Sequence, residues 1–272
     1  MNSFYNRKDV RRAILDFVYS GSPAPLRECA FYNEKTGGIQ RHVKNDSNED
    51  SIFVLESDSS FSQSLKAGAS AFYSSYWRYN NPFKAKQEKG RDLAWTIRAT
   101  EGGLPLAKNI TSSFVEVLNE EGFSPLVKYS GRLGFDVLVL LEDAEERIVL
   151  DRKAIIKTQE KLTQRLSTKV SDRLNFKLSK NNSKFIFKGG SGTCLLYELS
   201  WGRGLLLAPM SLHPSSGLVS TPVPPTKIKE FSARNASPEG PFPHKWNLSS
   251  RIQKLSTPPE LVPAVNHPPV RV

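Results

Sequence analysis

Lys128, Ser130 and Arg132 stand at alternate positions of the stretch Lys128-Tyr129-Ser130-Gly131-Arg132-Leu133-Gly134-Phe135-Asp136. An ammonium, a hydroxyl and a guanidinium at this spacing are donors suited to a phosphate. Gly131 and Gly134 lack a Cβ, so the backbone between them can approach a ligand closely. A basic surface hairpin with no ligand is the competing reading of the same residues. The run Val137-Leu138-Val139-Leu140-Leu141 that follows has the pattern of a strand covered on both faces.

The elements that must position this turn lie on either side of it. Upstream, Leu93, Trp95 and Ile97 alternate with polar positions, which predicts a strand with Thr96 and Arg98 on its opposite face. Pro105 opens a helix whose apolar stripe is Leu106, Ile110, Phe114, Val117 and Leu118, and Gly122 ends it. Strand, helix and the 137–141 strand then form a βαβ-like unit with the turn at its mouth. Residues 143–174 read as one long helix. Ile155, Ile156, Leu162, Leu166, Val170 and Leu174 face inward, and Lys153, Lys157, Lys161, Arg165 and Lys169 make a solvated outer ridge. Strands are expected at 183–187 and 194–199. A short one at Leu205–Leu207 leads into Ala208-Pro209-Met210-Ser211-Leu212-His213-Pro214.

Nearer the N-terminus, Val10, Ile14, Phe17 and Val18 predict a helix over 6–19. Residues 27–31 and 39–43 bracket Lys35-Thr36-Gly37-Gly38 as a hairpin, with Arg27, Arg41 and His42 on or beside it. The aromatic run Phe72-Tyr73-Ser74-Ser75-Tyr76-Trp77-Arg78-Tyr79 suits a base-stacking platform or a strand packed on both sides, and core packing is the better fit.

The chain has 272 residues, 38% of them hydrophobic, and a net charge of +11. That length buries one large core or two small ones. The charge makes a polyanion such as nucleic acid a natural partner, without excluding other roles. Cys29 and Cys194 stand far apart among apolar neighbours, which predicts buried reduced thiols and no zinc site. No stretch approaches the roughly 20 apolar residues of a membrane span. The first residues lack the apolar core of a secretory signal. A soluble, intracellular protein with no membrane partner is expected. From Pro222 onward the chain is proline-rich with few charges, so we expect a folded domain at 1–231 and an extended tail at 232–272, with one docked element around 246–252.

Several segments, in one order, resemble the small subunit of archaeal and eukaryotic DNA primases. They are Arg27-Glu28-Cys29-Ala30-Phe31, then Gln40-Arg41-His42, then Phe72-Tyr73-Ser74-Ser75. The 128–136 turn is similar to that family's second motif, roughly Lys-x-Ser-Gly-x-x-Gly-Phe-His. Residues 205–223 are similar to its late Arg-x-Pro-Gly-Ser-Leu-His-x-x-Thr-Gly-Leu segment. The chain thus resembles the archaeo-eukaryotic primase superfamily. The resemblance implies an α+β fold of two sheets meeting at a cleft, one with RNA-recognition-motif topology, and helices on the outer faces.

The family's chemistry rests on three acids that hold two divalent cations for nucleotidyl transfer. Here the two acidic positions of the first motif fall on Thr96 and Arg98, the second motif's histidine is Asp136, and the third acid falls at about Trp201. The family's zinc-binding cysteines are missing as well. The resemblance implies that Lys128, Ser130, Gly131, Ser211 and His213 face a triphosphate, with Arg132 beside them. Arg98 then either holds a phosphate where a metal would sit or pairs with Asp136 or Glu101. Arg27, Arg41 and His42 are the expected nucleic-acid contacts.

The expected function is that of a catalytically inactive primase-like protein of DNA replication or repair, with no cofactor. It would bind DNA or RNA, a primase large subunit, or another replication or repair partner. Two alternatives remain open. One is an active primase or polymerase using magnesium or manganese on relocated acids such as Asp136, Glu101 or Glu142. The other is a structural scaffold subunit whose Pro-rich tail tethers a partner.

Overall fold

Alternating apolar residues build sheets, and the chain carries two such sets. The computed structural model describes residues 2–44, 48–83, 88–145, 155–199, 204–242, 244–246 and 248. Helices α1 (Asn2–Tyr5) and α2 (Lys8–Tyr19) precede strands β1 (Cys29–Asn33), β2 (Gly38–Gln40), β3 (His42–Lys44) and β4 (Asp50–Ile52). Helix α3 (Asp58–Ala67) leads to β5 (Ala69–Ser75), β6 (Trp77–Tyr79), β7 (Glu88–Arg91) and β8 (Leu93–Ala99). Helix α4 (Gly103–Glu120) is followed by β9 (Leu126–Tyr129) and β10 (Gly134–Val139), then by α5 (Leu141–Glu145) and α6 (Ile155–Leu174). Strands β11 (Lys177–Asn181), β12 (Lys184–Gly189), β13 (Gly192–Glu198), β14 (Leu205–Leu207) and β15 (Pro222–Val223) complete the described order, with two short 3-10 turns after them.

The first set makes a four-stranded antiparallel sheet ordered β14-β5-β1-β2. Its core joins Tyr5, Val10 and Ile14 to Phe31, Phe61, Phe72 and Met210. The aromatic run 72–79 therefore packs into the interior, in β5 and β6, as its alternation favours. Strand β1 pairs with β2 as the expected hairpin, but β3 leaves that sheet and pairs with β4.

The second set makes a seven-stranded sheet ordered β11-β12-β13-β8-β10-β9-β15. Strands β8 and β9 are each antiparallel to β10, which lies between them. They therefore run parallel to each other, joined by α4 in a split βαβ crossover. This corrects the βαβ reading in which the 137–141 strand itself closed the unit: β9, the strand that ends in Lys128 and Tyr129, stands between α4 and β10 and closes it. Val137 and Val139 pack with Trp95, Phe114 and Leu166 under α4 and α6. Leu138 packs on the other side with Tyr76, Leu206 and Trp246, so β10 is covered on both faces.

The expected single helix over 143–174 is two described helices, and residues 146–154, including Lys153, lie outside the described residues. The basic ridge of α6 is not merely solvated. Arg165 and Lys169 both reach Glu121, at 3.0 and 2.6 Å, and Arg173 reaches Glu120 at 2.8 Å. Past residue 231, in the segment expected as a tail, Ala236, Phe242, Trp246 and Leu248 are buried. Cys29 and Cys194 are free and buried, and burial pushes both thiols up to about 12. No helix among the described residues is long and apolar enough to cross a membrane.

Between the two sheets lies a buried carboxylate. Asp92, fully buried just before β8, accepts Arg27 Nη2 at 2.6 Å, Arg78 Nη2 at 2.7 Å and the Leu141 amide at 2.9 Å. Burial alone would raise the Asp92 carboxyl, but the Arg27 and Arg78 guanidiniums overcome it and hold the group below its usual range. Arg27 directs its remaining donors to the Phe17 and Ser75 carbonyls and the Ser20 hydroxyl. Arg27 is therefore not a nucleic-acid contact: its side chain has no exposed surface. Glu142, one of the acids a relocated metal site would use, pairs through Oε1 with Arg78 at the edge of the same network. Asp92→Ala strands two buried guanidiniums, so it should cost about 3–5 kcal/mol. Urea unfolding checks this, and a loss within experimental error would show that the network does not join the two sheets.

Candidate functional site

Strand register sets the face on which the candidate residues appear. Thr96 pairs with Asp136, and Asp136 with Lys128, across β8, β10 and β9. Directly paired residues project to one side of a sheet, so these three share the face opposite the α4 core. Arg98, two residues beyond Thr96, shares that face and is exposed at the position that pairs with Gly134.

The segment after β14 then crosses from one sheet to the other and delivers His213 to this face. It leaves the four-stranded sheet at Leu207 and enters the seven-stranded sheet as β15, pairing with Lys128 and Val127. Between them it turns back on itself, the His213 amide donating to Leu218 O and the Gly217 amide to His213 O. The tip of that turn packs on the 128–136 turn, where the Ser216 hydroxyl donates to the Gly131 carbonyl at 2.6 Å.

The two glycines serve this packing rather than a ligand's approach. Gly131 has φ +85, and a Cβ there would lie 2.6 Å from the His213 Cβ. A Cβ on Gly134 would lie 1.8 Å from the Ile97 carbonyl oxygen. The protein itself fills both spaces.

Lys128 and Asp136 form a closed ion pair. The Lys128 ammonium has no exposed surface and donates to Asp136 Oδ2 and, at 2.9 Å, to the Ser220 hydroxyl. The Thr96 hydroxyl donates to the other carboxylate oxygen at 2.7 Å. Burial pulls the Lys128 ammonium down, Asp136 pulls it up, and Arg98 adds to the depression. Lys128 is thus not a phosphate ligand, because its charge is matched by Asp136 inside the protein.

His213 is half-buried, and its imidazole is held below its ordinary 6.5, first by burial and then by the charges of Arg132 and Arg98. Asp136 pulls the other way. The Ser215 amide donates to His213 Nδ1 at 3.2 Å, which places the proton of the neutral ring on Nε2. Arg98 and Arg132 are both exposed. The structure therefore brings together Arg98, Arg132 and His213 at the surface, over the buried Lys128–Asp136 pair.

Other expected residues lie elsewhere. Ser211 is fully buried, and its hydroxyl accepts the Phe72 amide at 2.7 Å and meets the Tyr5 hydroxyl at 3.3 Å. It ties α1 to β5 and does not face the arginines. Ser130 is buried, and its amide closes the turn on Gly134 O at 2.9 Å. Arg41 pairs with Glu28, and Arg41 and His42 line a groove of about 840 Å³ with Phe31, Ile39, Gln63 and Phe83. None of Arg98, Arg132 and His213 lines that groove. Glu101 accepts the Thr193 hydroxyl at 3.0 Å. Trp201 lies outside the described residues. Ser220 was missed, since nothing in its sequence setting marks it as the second partner of Lys128.

No protein-family model and no curated protein matches the sequence. Among solved structures, the chain is similar to the polymerase domain of ligase D from Mycobacterium tuberculosis, a structure in complex with DNA. The TM-score is 0.54 at 13% identity, over 90% of this chain and 87% of that one. The fold is similar to that of a primase–polymerase domain. It is mixed α+β, as expected from the sequence.

Two divalent cations, which the primase resemblance implies, do not fit the described residues of this face. Asp136 has both oxygens engaged, Thr96 is turned toward it, and Arg98 brings a fixed positive charge to the same face. Among the described residues no group of three or more His, Cys, Asp or Glu side chains could hold a metal.

Lys128→Met leaves the Asp136 carboxylate buried without its cation and should cost about 3–5 kcal/mol. Adding Asp136→Asn should return most of that loss, and a double variant no more stable than the single one in urea would contradict the pairing. The imidazole provides a second check. The unfolded His213 ring takes up a proton near 6.5 and the folded ring only at lower pH, so the unfolded state binds more protons in between. Stability therefore falls as pH drops through that window. His213→Gln should gain on the wild type between about pH 7.5 and about pH 5 in melting temperature, and a constant difference would refute the assignment.

Proposed function

We propose that this chain is a non-catalytic nucleic-acid-binding protein of primase–polymerase fold, acting in DNA replication or repair. In it a basic anion-holding cluster takes the place of the metal-dependent nucleotidyl-transfer site. The observation that carries this reading is the closed triad Lys128–Asp136–Thr96 beneath Arg98: the carboxylate at the site is neutralised from within. Both oxygens of that carboxylate already serve partners inside the protein, whereas the exposed Arg98 stands opposite Gly134 and Leu195 in the sheet, neither of them an acid, and Arg132 is exposed beside it.

The two arginines would each hold a phosphate oxygen through fixed, planar donors. His213, neutral with its proton on Nε2, would add a third donor without adding charge. The net charge of +11 favours such an approach. The similar ligase D polymerase domain is described in complex with DNA, which supports the same partner class. A primase large subunit or another replication or repair factor is the protein partner we propose on the sequence resemblance.

Fluorescence anisotropy with labelled DNA tests binding. Combined Arg98→Glu and Arg132→Glu should weaken affinity at least about tenfold and flatten the slope of log K against log salt by roughly 1.4 to 1.8. Unchanged affinity, or no binding by the wild type even at low salt, would overturn the reading. Primer extension with magnesium or manganese should give no product. Extension that Asp136→Asn abolishes would establish a working enzyme instead.

A further inference from the structure

We propose that the uncovered face of β11, β12 and β13 is a platform for single-stranded nucleic acid, continuing outward from the Arg98–Arg132–His213 cluster. The inference rests on the nucleic-acid reading above and extends it to residues which that reading does not use.

Register places these residues on one surface. Across β11 and β12, Lys177 pairs with Lys188, Ser179 with Ile186 and Asn181 with Lys184. Across β12 and β13, Lys184 pairs with Tyr197, Ile186 with Leu195 and Lys188 with Thr193. Across β13 and β8, Leu195 pairs with Arg98 and Tyr197 with Thr96. The intervening residues Phe185, Phe187, Cys194 and Leu196 are buried against the helices. The face in question is therefore the one turned away from them, and it is continuous with Arg98. Crossing it from β11 to β8 spans three strand spacings, about 14 Å.

Its composition is not that of an ordinary wet sheet face. Lys177, Lys184 and Lys188 are exposed, and the three strands contribute no acidic residue to this face. Glu101 meets only its rim, at the Thr193 hydroxyl. Lys177 and Lys188 lie directly opposite each other, a like-charge pair that weakens the sheet. A bound polyanion reverses the sign of that interaction.

Between the lysines, Ile186, Leu195 and Tyr197 keep part of their apolar surface in contact with water. The Lys184 ammonium sits 5.4 Å from the Tyr197 ring centroid, so a cation and an aromatic face occupy one spot. Apolar and aromatic surface interleaved with lysines is what an unpaired strand requires. Bases stack on the first while phosphates meet the second. A duplex turns its bases inward and offers only phosphates, so it would leave the apolar half of this face unused.

The test is anisotropy of the full chain with labelled oligo-dT of about 4 and about 16 nucleotides, the duplex of the longer one, and polyglutamate as competitor. Combined Lys177→Glu, Lys184→Glu and Lys188→Glu should weaken the longer oligomer at least tenfold. It should also flatten its salt slope by about 2, at roughly 0.7 for each phosphate no longer neutralised. Tyr197→Ala should weaken it roughly tenfold and the duplex far less. Lys188→Gln, which relieves the opposed lysines, should melt no lower than the wild type yet bind more weakly. That separates binding from folding.

If the wild type binds oligo-dT and Arg98→Glu with Arg132→Glu abolishes binding, but the lysine and Tyr197 variants bind normally, the platform is wrong and the proposed function stands. If the wild type binds no nucleic acid, the proposed function itself fails. Displacement by polyglutamate as effective as by oligo-dT would assign the face to an acidic protein and overturn the inference.

Discussion

Burying Asp92 between Arg27 and Arg78 is the constraint on which the two-sheet arrangement depends. Its partners come from the stretch before β1, from β6 and from the start of α5, so one carboxylate joins three separate segments of chain. A buried charge carries a large desolvation penalty unless opposite charges and hydrogen bonds surround it. Each element must therefore arrive in its place for the carboxylate to be satisfied. The apolar cluster of Phe17, Tyr76, Leu138, Leu206 and Trp246 draws on both sheets but is non-directional. The hydrogen-bonded carboxylate adds direction.

Once the sheets are joined, the segment from β14 to β15 has to cross between them, and the site forms where it crosses. Hydrogen bonds of Ser216 to Gly131 and of Lys128 to Ser220 fasten that segment to the 128–136 turn. Gly131 permits the contact because the His213 Cβ occupies the space a side chain would need. Chemistry at the surface follows from what the crossing buries. With Lys128 turned inward onto Asp136, the charges left outside here are Arg98 and Arg132, and after burial they help to hold the neighbouring imidazole below its ordinary value.

Much of the fold was legible in the sequence because it depends on periodicity. The strand around Trp95, the helix after Pro105, the buried run 137–141 and the core role of the aromatic run 72–79 all follow from which side of an element is apolar. The alternation Lys184-Phe185-Ile186-Phe187-Lys188 was also present, and it marks both the buried and the wet face of β12. Strand β9 was legible only at its end, where Lys128 and Tyr129 lead into the glycine turn. Its four residues Leu126-Val127-Lys128-Tyr129 are all buried, and a lysine within the run hides the pattern.

Sequence alone determined which residue types stand at the motif positions: Thr96, Arg98 and Asp136 where the resembling family carries two acids and a histidine. It also determined that Arg98 shares a face with Thr96, since strand side chains repeat every two residues. Only the tertiary structure decided which cations face water. Arg27 and Lys128 look as available as Arg98 and Arg132 in the chain, yet the first two are fully buried against carboxylates and the last two are exposed. A side chain's type sets the charge it can carry. Whether that charge is matched inside or presented outside depends on which partner the fold brings within about 3 Å: Lys128 meets Asp136 through the pairing of β9 with β10, whereas Arg27 and Asp92, 65 positions apart, meet only through the tertiary fold.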